Sequence, residues 1–268
     1  MLALVFASAN AAPYLAIQGP TTGKIYSSGS IFLGKVGPGE SFYIMASPTT
    51  VNATGFAINI GWDTLEAVSL PQGWSAQASP LYENPMKMKV TVAPNTRNGT
   101  YVMVLRAVNL QNYSRIGNLT FDAYINVTPN VYELNVTPDV LTTGIGQPAS
   151  LLITINNTGI SDDPFVINAS GLPAWNASDT VIALHSKSTS FVYPVYVNEP
   201  GVYIFNLSVS STTSPLIHKQ YVIKLVGEAS VPNDYSAIGQ GVLLAPIVYE
   251  PMYAVMLFLG DLYNMASR

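Results

Sequence analysis

Apolar and polar residues alternate with a period of two along most of this 268-residue chain, in short runs cut by Gly, Pro and Asn. In Phe121-Asp122-Ala123-Tyr124-Ile125-Asn126-Val127 the odd positions are apolar and Asp122 and Asn126 fall on the other face. The same alternation predicts strands over 31–36, 41–46, 56–62, 87–92, 101–108 and 118–127. A second series is expected over 132–136, 150–156, 163–169, 181–184, 190–197, 203–209 and 220–226. Helical spacing fails almost everywhere, because β-branched and aromatic residues dominate the runs. The pattern is that of an all-β, antiparallel sandwich chain.

One stretch occurs twice. Leu70-Pro71-Gln72-Gly73-Trp74, a strand of alternating residues, and Gly99-Thr100-Tyr101 are followed about a hundred residues later by Leu172-Pro173-Ala174-Trp175, another such strand, and Gly201-Val202-Tyr203. That period is too long for a solenoid and suits two tandem sandwiches. Turn signals stand at Gly19-Pro20, Gly34 and Gly37-Pro38-Gly39, and Thr128-Pro129-Asn130 marks the seam. The expected organisation is a signal-peptide remnant over 1–12, a sandwich over 13–128, a second over 129–227, a linker over 228–235 and an apolar segment over 236–268. The first twelve residues carry a short apolar run and small-residue cleavage sites but no leading Lys or Arg, so an apolar first strand is the alternative. A seam this short predicts a semi-rigid pair of domains.

Charged residues make up only 10% of the chain, against roughly 25% in ordinary soluble domains. The net charge of -4 with 11 basic residues excludes nucleic acid as an expected partner, since nothing clusters positive charge. Glycan is the expected source of surface polarity. Asn-X-Ser/Thr sequons begin at Asn52, Asn98, Asn112, Asn118, Asn126, Asn135, Asn156, Asn168, Asn176 and Asn206. Asn126, Asn135 and Asn206 sit on the polar face of their predicted strands, where sugar would meet water. No cysteine is present, so neither a disulfide framework nor thiol chemistry is expected.

The second half resembles the immunoglobulin-like repeats of the cell-adhesion-related bacterial type, as in archaeal and bacterial cell-surface proteins. The residues that carry the likeness are PASLLITINNTG as strand B, GLPAW after strand C and GVYIFNLSV as strand F. The resemblance covers about 200 residues and implies two tandem immunoglobulin-like sandwiches with a spacer, stalk or adhesion role; the family has no shared catalytic residues. In such folds a Tyr near the start of strand F returns its hydroxyl to backbone just upstream. Tyr101 and Tyr203 hold that place, with Met103 and Phe205 where antibody domains carry the second cysteine. Trp74 and Trp175 then read as core plugs at the sandwich ends, with carbohydrate stacking as the alternative.

Chemistry-bearing constellations are sparse. His185 and His218 have no metal-ligand spacing around them, no nucleophile elbow or phosphate loop occurs, and neither a metal nor a cofactor is expected. Asp162-Asp163 beside Asn156 and Asn157 could supply calcium ligands, but a solvated turn before the next strand is the expected reading. Asp63 and Glu66 form a possible carboxylate pair without anything to separate their pKa values. No enzyme is expected.

From Gly241 to Leu259 nineteen residues contain a single charge, Glu250, which is long enough to cross a bilayer core as a helix. Nine Val, Ile, Leu and Phe residues contribute about −4 kcal/mol and a central Glu gives back about 3, so a lone span is marginal. Leu243, Ile247, Glu250, Met256 and Phe258 are the candidate membrane or partner residues, with Glu250 protonated or paired. The alternative is a pair of apolar elements, broken at Pro251, packed on protein.

The expected function is non-catalytic: a glycosylated, extracellular structural protein of an archaeal-type cell envelope, acting as a membrane-anchored stalk or surface-layer partner at the cell surface. Its partners are then the membrane through the C-terminal segment, N-linked glycans, and its own copies or other envelope subunits. One alternative is a filament subunit assembling by strand donation, with residues 12–18 as donor. Another is a carbohydrate-binding accessory subunit of a membrane complex.

Overall fold

The computed structural model describes residues 13–51, 57–58, 61–110, 116–173 and 178–228, together with Leu259 and Met265. Between 13 and 228 every regular element among the described residues is a strand. The first group comprises β1 (Tyr14–Gly19), β2 (Gly23–Ile25), β3 (Ser30–Val36), β4 (Ser41–Val51), β5 (Ala57–Ile58), β6 (Thr64–Ser69), β7 (Ser75–Gln77), β8 (Met86–Thr91), β9 (Gly99–Val108) and β10 (Leu119–Val127). The second comprises β11 (Tyr132–Thr137), β12 (Val140–Gly144), β13 (Ala149–Asn157), β14 (Asp163–Ser170), β15 (Ser178–Ala183), β16 (Ser188–Val195), β17 (Gly201–Ser211) and β18 (His218–Glu228).

Among the described residues the strands form four sheets, in two pairs. The first pair is β2-β1-β4-β8-β7, with β5 also on β4, facing β3-β10-β9-β6; the second is β11-β13-β16 facing β12-β18-β17-β14-β15. The sequence repeat has a counterpart in this topology. The path β1-β4-β8 answers to β11-β13-β16, and β3-β10-β9-β6 answers to β12-β18-β17-β14. Each copy also has one parallel pairing at the same place, β3 with β10 and β12 with β18.

Period-two alternation decides which side chains enter each core. On β17, Phe205, Leu207 and Val209 point inward while Val202, Ile204 and Asn206 face out. On β9, Met103, Leu105 and Ala107 do the same. The inward sets form two separate apolar clusters, one drawn from residues 15–127 and one from 131–225. Each fully buried large apolar side chain stabilises by roughly 1.5–3 kcal/mol, which is how two cysteine-free sandwiches cohere.

Several expectations change. Of the run 12–18, the candidate donor of the filament alternative, residues 14–18 lie inside β1, hydrogen-bonded on one side to β2 and on the other to β4, with Leu15 and Ile17 buried. The strand expected over 56–62 is described only at Ala57–Ile58, and Trp62 lies outside it, its indole donating to the Gly117 carbonyl at 3.0 Å. β2, β6, β7 and β12 are additions, and β18 continues to Glu228, into the expected linker. Residues 1–12 and the segment 229–258 lie outside the described residues, so the leader and the candidate residues Leu243, Ile247, Glu250, Met256 and Phe258 do too. Among the described residues no helix is long and apolar enough to cross a membrane.

Candidate functional site

Seven of the ten sequon asparagines are described, and each is exposed or half-exposed: Asn98, Asn118, Asn126, Asn135, Asn156, Asn168 and Asn206. Asn52, Asn112 and Asn176 lie outside the described residues. The neighbouring Asn157, which begins no sequon, is buried. Its Nδ2 donates to the carbonyls of Ser161 (2.8 Å) and Ala183 (3.0 Å), and its Oδ1 accepts from the Gly159 amide at 2.8 Å. One asparagine therefore satisfies buried backbone while its chain neighbour faces water, as strand alternation requires.

Strand pairing brings these acceptors together across adjacent strands. Asn168 stands opposite Ser208 and Asn206 opposite Ser170, so each sequon faces the hydroxyl of the other. Asn126 stands opposite Thr100, the hydroxyl residue of the Asn98 sequon. Asn135 is opposite Thr154 and Asn156 opposite Glu133, to which Asn156 Nδ2 donates at 3.1 Å. Each pairing lies on the outer face of a sandwich. The register, which the sequence alone does not give, makes six separate acceptors into three neighbouring pairs.

A second constellation lies where the two sandwiches meet. Gly37-Pro38-Gly39-Glu40 is the turn between β3 and β4, and the second sandwich rests on it. The Ile160 amide donates to the Lys35 carbonyl at 2.9 Å, and Ser161 Oγ donates to the Ser41 carbonyl at 2.6 Å. At Gly39, whose φ is +87°, a Cβ would stand 2.5 Å from the Thr213 carbonyl oxygen. Only glycine allows so close an approach.

Glu40 is the buried centre of this junction. Its Oε2 accepts from the Gly37 amide at 2.8 Å and its Oε1 from the Tyr132 hydroxyl at 2.7 Å. Tyr132 is itself held edge-on against Phe165, ring centroids 4.7 Å apart, in the second core. Burial pushes the Glu40 carboxyl up to about 7, the bonds from Gly37 and Tyr132 oppose it, and the charge of Asp163 adds to it. Asp163 is fully buried as well. Its Oδ1 accepts from Thr213 Oγ1 at 2.7 Å while Oδ2 has no hydrogen-bond partner. Burial raises its carboxyl against the bonds from Ser211 and Thr213, and burial with the charges of Glu40 and Asp163 also raises the Tyr132 phenol. Sequence reasoning missed this group, whose only signal was a carboxylate directly after a Gly-Pro-Gly turn.

Asp163 corrects one expectation outright, since it is no solvated turn residue. Asp162 points the other way, to solvent, and pairs with His185 Nδ1 at 2.6 Å. Partial burial acts against ionisation there, but hydrogen bonds from the His185 backbone and ring, with the charges of His185 and Lys187, hold its carboxyl below the usual range. The two carboxylates thus diverge, and with Asn157 bonded to backbone they form no calcium cage. Among the described residues no group of three or more His, Cys, Asp or Glu could hold a metal ion. Asp63 and Glu66 also part company: Asp63 Oδ2 accepts from the Leu110 amide at 2.7 Å, whereas Glu66 accepts from Arg106 Nε at 2.8 Å. His218 is exposed at the start of β18.

The aromatic signposts fall where the repeat places them. Tyr101 donates to the Arg97 carbonyl at 3.0 Å and Tyr203 to the Glu199 carbonyl at 2.9 Å, each four residues upstream. Met103 and Phe205 are buried beneath them. Trp74 is buried in the first core, 5.6 Å from Tyr101 between ring centroids, and donates to Thr96 Oγ1 at 3.1 Å. Its ring has no free face for a sugar. Trp175 lies outside the described residues.

No family model matches the chain, and no curated protein matches it. Among solved structures, a β-glucosidase from Listeria innocua in complex with glucose is similar over 37% of this chain at 14% identity and a TM-score of 0.28. The same enzyme with gluconolactone is similar over the same share, with a TM-score of 0.27, and the chain spans 16% of the length of these glucosidases. A chimeric titin Z1Z2 functionalized with a KLER exogenous peptide from decorin is similar over 82% of this chain and 100% of its own, at 12% identity and a TM-score of 0.36. At these TM-scores none of the three bears on fold or function.

Proposed function

We propose that this chain is a non-catalytic, glycosylated structural protein of an archaeal-type cell envelope: two immunoglobulin-like sandwiches forming a stalk or surface-layer partner on the outer face of the cell. The observation that carries the reading is the placement of the acceptor asparagines. Every described sequon asparagine faces outward while Asn157 beside one of them is buried. Sugar at those positions supplies the wetting that a chain with 10% charged residues lacks. The immunoglobulin-like description is supported by the three-stranded path facing the four-stranded path in each copy, and by the paired Tyr101 and Tyr203 hydroxyl bonds. A spacer role is supported by the junction, where a buried and a part-buried hydrogen bond tie one sandwich to the next and oppose free hinging. The segment 236–268 is the proposed membrane anchor.

Intact cells of the native source, treated with a membrane-impermeant amine reagent and then extracted with alkaline carbonate, test the location. The expected result is a labelled chain that stays with the membranes. Labelling only after lysis overturns the extracellular reading, and release by carbonate overturns the anchor.

A further inference from the structure

We infer that the sugar chains on Asn126 and Asn206 lie flat over adjoining rows of exposed apolar side chains, so that these glycans complete the sandwich surface rather than only solubilise it. The inference rests on the proposed glycosylation and adds to it which acceptors serve and what they cover. Asn206 on β17 stands directly opposite Val222 on β18, and Ile204 precedes it on the same face. Ile204 is 68% exposed and Val222 67% exposed, and Val202, next along the row, is 62% exposed. Neighbours directly opposite on a pair of strands stand about 5 Å apart at Cβ, so a sugar rooted at Asn206 begins against Val222, with Ile204, opposite Lys224, next along its own strand.

In the first sandwich the apolar row begins one step along the face, since Asn126 itself stands between Lys35 on β3 and Thr100 on β9. Asn126 on β10 follows Tyr124 on the same face, and Tyr124 stands between Phe32 on β3 and Val102 on β9. Phe32 is 55% exposed and Val102 is 43% exposed. Contiguous apolar rows on a monomer's surface call for a cover. The carbon-bound hydrogens on one face of a pyranose ring supply an apolar surface for that purpose, and the ring's hydroxyls remain in water. By contrast Asn156 is framed by Glu133, Ser188 and Thr154, and the exposed apolar pair Leu152 and Val192 lies two steps farther along that face, away from the root of the sugar. Attachment is an ordinary amide glycosylation. The asparagine Nδ2 forms a bond to the anomeric carbon of a lipid-phosphate-linked oligosaccharide, the anomeric C–O bond breaks, the lipid phosphate leaves with its electron pair, and one amide proton passes to a base. No redox partner is needed.

The test uses the full chain from its native source with Asn126→Gln, Asn206→Gln and Asn156→Gln variants, probed with a dye that fluoresces on apolar surface, alongside glycopeptide mapping and sizing. The expected result is sugar at Asn126, Asn156 and Asn206, with several-fold brighter dye for N126Q and N206Q and no change for N156Q. In a chain that also carries Ile204→Thr and Val222→Thr, N206Q is expected to change nothing. Sugar at Asn156 with bare Asn126 and Asn206 overturns this inference and leaves the glycosylation reading standing, as does equal dye binding by all three variants. Self-association of the wild-type chain that Ile204→Thr abolishes also overturns it, because a second copy then covers the row. Absence of sugar at every sequon removes the glycosylation reading, and the inference with it.

Discussion

The Tyr132 hydroxyl donates to Glu40 Oε1 across 2.7 Å, linking residues that belong to different sandwiches and stand 92 positions apart. Neither group is exposed, so neither can exchange its partner for water. Removing the phenol hydroxyl leaves a buried carboxylate oxygen unmatched. Tyr132→Phe is expected to cost about 1–3 kcal/mol in chemical denaturation, with the greater loss at pH 8, where Glu40 is ionised. A loss no larger at pH 8 than at pH 5 contradicts the role given to this bond.

The same carboxyl sets a pH dependence. Its proton is held more tightly in the folded chain, where the pKa is about 7, than at the ordinary value of 4.5. Its contribution to stability is therefore complete below pH 4.5 and is lost as pH rises through 7. The shift corresponds to about 3 kcal/mol. Buried Asp163, raised as well, acts in the same direction. Denaturation midpoints between pH 4.5 and 8 should fall for the wild-type chain and fall distinctly less for Glu40→Gln. Parallel curves would exclude Glu40 as a source.

Gly39→Ala probes the fit of the turn against the second sandwich. The added methyl meets both the +87° backbone angle and the Thr213 carbonyl at 2.5 Å. Strain of this kind costs on the order of 1–3 kcal/mol, and the junction is where it falls. Hydrogen exchange should quicken at the Ile160 amide, which bonds to Lys35 across the junction, and remain slow at Leu105 and Leu207 in the two cores. Uniform quickening would place the strain elsewhere.

Tyr203→Phe and Tyr101→Phe each remove one hydroxyl bond near the surface, with an expected loss of about 1 kcal/mol. Trp74→Ala removes a buried ring and should cost about 3–5 kcal/mol. Thermal melts give the ranking. A Trp74→Ala loss no greater than that of the tyrosine variants would mean that the indole packs on nothing that matters.

Much of this architecture was readable in the sequence because period-two alternation reports directly on which face is buried. β10, β13 and β17 each carry three or more inward apolar residues in register, and their bounds shift by only one or two residues. β12 has one clearly inward apolar residue, Leu141, and β2 and β7 are three residues long, too short for a period to emerge. Asp162 and Asp163 looked like one polar turn, yet Asp163 opens β14 and points into the core while Asp162, just before the strand, faces solvent. The outward placement of Asn126, Asn135 and Asn206 was legible for the same reason. Their pairing with Asn98, Asn156 and Asn168 was not, since it depends on inter-strand register. Nor was Glu40, whose burial comes from contacts made by residues about a hundred positions away.

Intact mass of the chain from its native source, before and after enzymatic or chemical removal of N-glycans, with peptide mapping at each asparagine, tests the account most directly. The predicted result is a heavier native chain that loses mass on treatment, with sugar at most of the described sequons and none at buried Asn157. A mass that treatment leaves unchanged contradicts the account, because the outward asparagines would then be ordinary polar residues and the surface would depend on its few charges alone.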